Sequence, residues 1–214
     1  MDFNLSETKK NLAKAFAAEC QAGARYQFMA TKAQNDKLFY IKDTMKMLAK
    51  NEMAHAKLFY DFIVENSGKD SVIEFDADYS YLESELDVSL KKEADIERSE
   101  YNEVYPAFAE IAREEGYPKI AEGFEMVANV EYSHAKILEL LYKMYEKGTL
   151  YKNKVKQVLR CTNCGHIGYQ NEGWKICPLC SLDKGYIMID YSKIFEESAE
   201  VTANTQSAWD VIFA

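Results

Sequence analysis

One six-residue pattern occurs twice in this chain, as Glu52-Met53-Ala54-His55-Ala56-Lys57 and as Glu131-Tyr132-Ser133-His134-Ala135-Lys136. Each copy follows a glutamate at nearly the same interval: Glu19 stands 33 residues before Glu52, and Glu97 stands 34 before Glu131. Residues three apart on a helix share a face, so Glu and His at that spacing can grip one object together. Two helical hairpins related by a pseudo-twofold axis would bring all six side chains to one central point.

Acidic groups aimed into an apolar bundle repel one another and lose their hydration, so cations must compensate them. A glutamate from each of two helices, with Glu-x-x-His from each of the other two, is the ligand set of di-iron and di-manganese bundles. Ligand type alone also admits zinc. Glu100 lies one turn beyond Glu97 on the same face and offers a seventh protein ligand. Glu93, one turn the other way, competes with Glu97, and the hairpin repeat favours Glu97 as the counterpart of Glu19.

The rest of the first 148 residues supplies the rods. Only three prolines and nine glycines occur in 214 residues, which suits long helices. The first helix is expected from an N-cap at Ser6 to about Gln34, and the second from about Asp36 to Asn66, before Ser67-Gly68. An extended crossover spans about Lys69 to Glu83. The third helix covers about Glu85 to Glu115, with Pro106 predicting a kink or break, and the fourth runs from Pro118 to near Gly148. A short turn, a long crossover and another short turn describe an all-α, ferritin-like four-helix bundle. Residues 149–158 read as a linker, 159–190 as a small second module with short β-strands, and 191–214 as a tail of open role.

That module carries Cys161-x-x-Cys164 and Cys177-x-x-Cys180, whose four thiolates suit a tetrahedral iron or zinc ion. About thirty residues hold too small an apolar core to fold without such a staple. The motif alone leaves the metal open, and the neighbouring two-metal site favours iron, because a centre that needs electrons gains from a one-electron donor on the same chain. Tyr169, Trp174 and Tyr186 are expected around the thiolates, and His166 is expected as a neighbour rather than a ligand. Cys20 is expected to be a buried helix residue.

A net charge of −9 without a Lys/Arg-rich run argues against nucleic acid and anionic membranes as partners. No apolar stretch reaches the roughly 18 residues that cross a bilayer. The polar N-terminus and the paired Cys-x-x-Cys motifs point to the cytoplasm.

Residues 1 to about 190 resemble rubrerythrin. The resemblance rests on Glu19 with Tyr26, Glu52-x-x-His55, Glu97-x-x-Glu100, Tyr105-Pro106, Ala112-Arg113-Glu114-Glu115-Gly116-Tyr117, Glu131-x-x-His134 and the two cysteine knuckles. It implies a non-haem peroxidase that reduces hydrogen peroxide, with two iron ions in the bundle and one in a rubredoxin-like C-terminal module. It further implies that Glu100 and His55 exchange at one iron with redox state, that Tyr26 and Tyr105 lie beside the pair, and that Tyr26 hydrogen-bonds a ligand or peroxide. Electrons are expected from an external donor such as rubredoxin or a nicotinamide-dependent reductase, since no dinucleotide fingerprint occurs here. A homodimer or higher homo-oligomer is expected. Ser181 departs from the glycine usual after the second knuckle, and the tail lacks a counterpart in shorter members. The alternative is a ferritin-like ferroxidase or iron-storage protein with a structural zinc ribbon.

Overall fold

A computed structural model describes residues 2–68, 72–79, 81, 85–183 and 187. Tyr186, the tail 191–214, and residues 69–71, 80 and 82–83 of the crossover lie outside the described residues. A 3-10 turn, Phe3–Leu5, leads into α1 (Glu7–Asn35), which packs on α2 (Phe39–Ser67). The third rod is continuous but not uniform: α3 (Leu86–Ser99) passes through a π-helical turn, Glu100–Val104, into α4 (Tyr105–Glu114). The fourth is α5 (Pro118–Glu146). No helix among the described residues is long and apolar enough to cross a membrane.

The kink or break expected at Pro106 takes the form of that π-turn. A proline lacks the N–H that would bond back into the preceding turn. Here the wider turn places Pro106 in the opening turn of α4, where that N–H is not needed, and the Tyr105 N–H reaches back to the Glu100 carbonyl.

Three helix ends share one construction. At Gly116, φ is 91°, the Tyr117 N–H reaches the Ala112 carbonyl at 2.7 Å and the Gly116 N–H reaches that of Arg113. Gly148 repeats this with Thr149 and Met144, and Lys37, at φ 57°, does so with Leu38 and Ala33. These are Schellman caps, which need a left-handed residue after the helix. Lysine in that place hides the cap from a sequence reading, so α2 begins at Phe39 rather than near Asp36.

The start of α1 ties the bundle together. Ser6 accepts a hydrogen bond from the Lys9 N–H, and the Glu115 carboxylate accepts from the Glu7 and Thr8 N–H groups at 2.9 and 2.8 Å. The end of the third rod thus satisfies donors left open at the start of the first. Tyr117 packs edge-on against Phe3 at 5.3 Å.

Two apolar clusters fill the bundle. One holds Tyr26, Met29, Ile41, Leu48, Leu90 and Leu138, and the other holds Leu12, Phe59, Tyr105, Ala112 and Phe124. Every rod runs from one cluster to the other, and between them it passes its metal-site candidates: Glu19, Glu52 with His55, Glu97, or Glu131 with His134.

Beyond α5, β1 (Lys152–Arg160) pairs antiparallel with β2 (Ile167–Glu172), with Val158 opposite Tyr169 and an irregularity between Lys152 and Gln157. Most of the stretch expected as a linker is therefore strand. Its side chains are nearly all exposed, so no alternation of buried positions marked it.

Candidate metal centres

The six repeat-derived side chains converge. Glu19, Glu52, His55 and Glu131 form one group, and Glu52, Glu97, Glu131 and His134 form a second, each with its ligand atoms within 4.8 Å of one another. Glu52 and Glu131 belong to both groups, as carboxylates bridging two ions would. His55 Nδ1 lies 2.9 Å from Glu131, 3.2 Å from Glu52 and 3.4 Å from Glu19. His134 Nδ1 lies 2.8 Å from Glu131, 2.9 Å from Glu52 and 3.7 Å from Glu97.

Two phenols complete the inner surface. The Tyr26 hydroxyl donates to Glu97, and the Tyr105 hydroxyl donates to Glu19. The pseudo-twofold symmetry extends to these donors, one for each terminal carboxylate. Burial raises both phenol pKa values well above the ordinary value, with Glu97 adding to the effect at Tyr26 and Glu19 at Tyr105. Both rings therefore remain proton donors at neutral pH.

The electrostatics ask for cations. Burial pushes the Glu19 and Glu97 carboxyls well above the usual range, helped by Glu131 and Glu52 respectively. Burial pushes Glu52 up too, yet the His134 and His55 imidazoles hold it below that range. Burial disfavours charged His55, but Glu131, Glu19 and Glu52 outweigh it and push the imidazole up to about 12. Glu52 Oε1, Glu97 Oε2, both Glu131 oxygens and His134 Nδ1 are buried without an aligned hydrogen bond. Polar atoms so placed are costly unless something else satisfies them, and a pair of metal ions fits.

Glu100 falls in neither group. It sits on the π-turn, half-buried, and lines a cavity of about 530 Å³ together with Arg25, Tyr79, Tyr105 and Phe108. Burial raises its pKa well above the usual value, with Glu131 and Glu52 adding to the effect. Glu93, the competitor of Glu97, is engaged elsewhere: Arg25 holds it with two hydrogen bonds of 2.7 and 3.0 Å. Cys20 is half-buried rather than buried, and burial followed by Glu19 raises its thiol pKa.

In the second module the four cysteines gather around one point. Cys161 Sγ lies 3.8 Å from Cys180 Sγ, and Cys164 Sγ lies 3.6 Å from Cys177 Sγ. A tetrahedron with metal–sulfur bonds of about 2.3 Å has edges of about 3.8 Å, so the donors are already at ligating separation. The knuckles copy each other. The Gly165 and Ser181 N–H groups bond to the Cys161 and Cys177 carbonyls, and the Cys161 and Cys177 N–H groups bond to those of His166 and Leu182. The Leu182 N–H helps hold the Cys180 thiol down to about 6. His166 lies outside the cysteine group and packs on Trp174 at 4.9 Å. Tyr169, expected near the thiolates, is 68% exposed.

The family model described as rubrerythrin matches residues 10–156. A rubrerythrin of Clostridium perfringens is 34% identical over 185 residues, 86% of this chain and 94% of that protein. The chain belongs to the rubrerythrin family. A second rubrerythrin, from Nitratidesulfovibrio vulgaris, is 33% identical over 85% of this chain and 93% of its own length. Among solved structures, nigerythrin in a mixed-valent state matches with a TM-score of 0.58 and 27% identity over 86% of each chain. A Desulfovibrio desulfuricans bacterioferritin, at TM-score 0.60 and 23% identity over 67% of this chain and 82% of its own, shares the bundle fold. Rubrerythrins are di-iron oxidoreductases associated with oxidative stress, and their cofactors are a pair of iron ions and a single iron held by four cysteines. Both donor sets are present here.

Sequence reasoning missed Asn51, whose carboxamide lies 3.2 Å from His134 Nε2. It sits on α2 and His134 on α5, so no local spacing reveals the contact.

Proposed function

We propose that this protein reduces hydrogen peroxide to water, receiving electrons through its own four-cysteine iron. The observation that carries the reading is the pair of ligand groups sharing Glu52 and Glu131 in a bundle whose chain also carries a thiolate site. The iron pair, when bound, supplies Lewis acidity and the two electrons that peroxide reduction consumes. Glu19, Glu52, His55, Glu97, Glu131 and His134 would hold it, and Cys161, Cys164, Cys177 and Cys180 would hold the third iron.

The remaining residues divide the work. Tyr26 and Tyr105 fix the terminal carboxylates by hydrogen bonds and stay protonated. Tyr26, in keeping with the family resemblance, would also donate a hydrogen bond to an oxygen atom of the substrate. Glu100, kept out of both groups, is the reserve carboxylate that exchanges with His55. Its cavity offers a small oxidant a path to the site beside Tyr105.

The external reductant is rubredoxin or a nicotinamide-dependent reductase, and the free thiols suit the cytoplasm. A homodimer would bring one protomer's thiolate iron to its partner's bundle. The ferroxidase or storage reading uses the same bundle site but gives the thiolate module no electron to carry.

The test is stopped-flow oxidation of the reduced protein by peroxide and, separately, by oxygen. Glu100→Ala is expected to slow the peroxide reaction tenfold or more, roughly 1.4 kcal/mol of barrier, while circular dichroism still reports a folded bundle. Unchanged peroxide kinetics in that variant would remove Glu100 from the mechanism. A small oligomer saturating near three irons per chain would exclude storage.

A further inference from the structure

We propose that Asn51 is a positioning residue for one end of the metal pair: its amide oxygen accepts a hydrogen bond from His134 Nε2–H, fixing that imidazole's tautomer and plane, so that the His134 position binds its ion more tightly than the His55 position. The inference rests on the two-metal reading of the bundle and adds an inequivalence between its halves.

The geometry leaves His134 one way to ligate. Its Nδ1 faces Glu52, Glu97 and Glu131, and its Nε2 lies 3.2 Å from the side-chain nitrogen of the Asn51 carboxamide. An imidazole that gives Nδ1 to a metal carries its remaining proton on Nε2, and that proton needs an acceptor. A half-turn of a carboxamide exchanges its oxygen and nitrogen in the same space. The proton on Nε2 therefore selects the oxygen, and the Asn51 NH2 turns away. His134 is then held at both ring nitrogens, and its side chain is 1% exposed.

The other half lacks this device. The residue preceding Glu52 is Asn51, whereas the residue preceding Glu131 is Val130, which has no side-chain acceptor. Among the described residues, the polar contacts of His55 all use Nδ1, and its side chain is 12% exposed. Apart from Glu100, the two donor groups match in kind and differ, among the described residues, in this supporting hydrogen bond. Supporting partners of ligating histidines are worth about 10–100-fold in metal affinity, enough to order the filling of the two positions.

The experiment uses the full-length chain with zinc in the cysteine site. With zinc also in the bundle, long-range 15N–1H NMR of the histidines should show His134 with its proton on Nε2, exchanging slowly with water. There are three histidines in the chain, so single His→Gln variants assign them. Cobalt(II) titration of the zinc-ribbon, bundle-empty protein should then show two unequal steps. Asn51→Leu should weaken the tighter step about 10–100-fold and leave the looser one unchanged, while Asn51→Asp, which keeps an acceptor, should retain the tight step. A His134 proton on Nδ1 would overturn the proposal even if Asn51→Leu failed to fold. Wild-type binding in Asn51→Leu would also overturn it, as would equal losses in Leu and Asp variants. If no cobalt bound the bundle at all, the two-metal reading itself would fall.

Discussion

Ser181 shows how much a single backbone angle can say. Its φ is 61°, matching Gly165 at 76° in the twin knuckle, and a left-handed conformation costs a residue with a Cβ about 1–2 kcal/mol. Replacing it with glycine relieves that strain but gives the unfolded chain more freedom, worth about 0.4–1 kcal/mol in the opposite sense. Ser181→Gly is therefore expected to stabilise the module by about 0.5–1 kcal/mol, read as a later loss of the visible iron–thiolate band on heating. An earlier loss would mean that the serine hydroxyl does something the backbone does not disclose. The same residue scale separates what the sequence made legible from what it hid. The clusters of candidate donors were readable because Glu-x-x-His and Cys-x-x-Cys encode their geometry within one turn. Asn51 against His134, and Arg25 against Glu93, join residues from different helices, and nothing in a single sequence marks such pairs.

At the scale of elements, the Ala112–Tyr117 segment proves to be a clamp between rods. Burial acts to raise the Glu115 carboxyl, but the Thr8 hydroxyl and the Thr8 and Glu7 N–H groups hold it below the usual range. A carboxyl depressed in the folded state stabilises the fold above its unfolded pKa of about 4.3 and loses that contribution as pH falls through the lower folded value. Glu115→Gln is expected to cost about 1 kcal/mol at pH 7, the worth of a good helix cap. The difference from wild type should shrink at acid pH, where Glu115 is itself neutral. Urea midpoints at both pH values test this, and an undiminished gap at low pH would assign the loss to packing. The helices themselves were legible, within a few residues, from their caps and breakers. The π-turn was not, because Pro106 announces a disturbance without specifying whether the rod bends, breaks or widens. Strand β1 was missed for the opposite reason: it is so exposed that its pattern is that of a connector.

For the whole molecule, the account rests on two apolar clusters separated by a charged layer that ions complete. His55, pushed up to about 12 by Glu131, Glu19 and Glu52 against the opposing effect of burial, and His134, shifted in the same sense, hold protons in the metal-free bundle at neutral pH. Ligation requires Nδ1 to be bare, so loading two ions should release about two protons or more at pH 7, and affinity should fall as pH falls. Calorimetry in buffers of different ionisation heats reads this count directly, and zero release would contradict the proposed ligands. Most of this layer could be anticipated because a repeated motif on paired hairpins leaves its members little choice but to meet. What could not be anticipated is that Glu100 would stand aside from both groups, since its place depends on the π-turn. The most direct test of the central claim is anomalous diffraction at the iron edge from crystals of the iron-loaded protein. The account predicts two peaks about 3.5–4 Å apart bridged by Glu52 and Glu131, with a third among the four cysteine sulfurs. A bundle with one peak, or with none between those two glutamates, would contradict it.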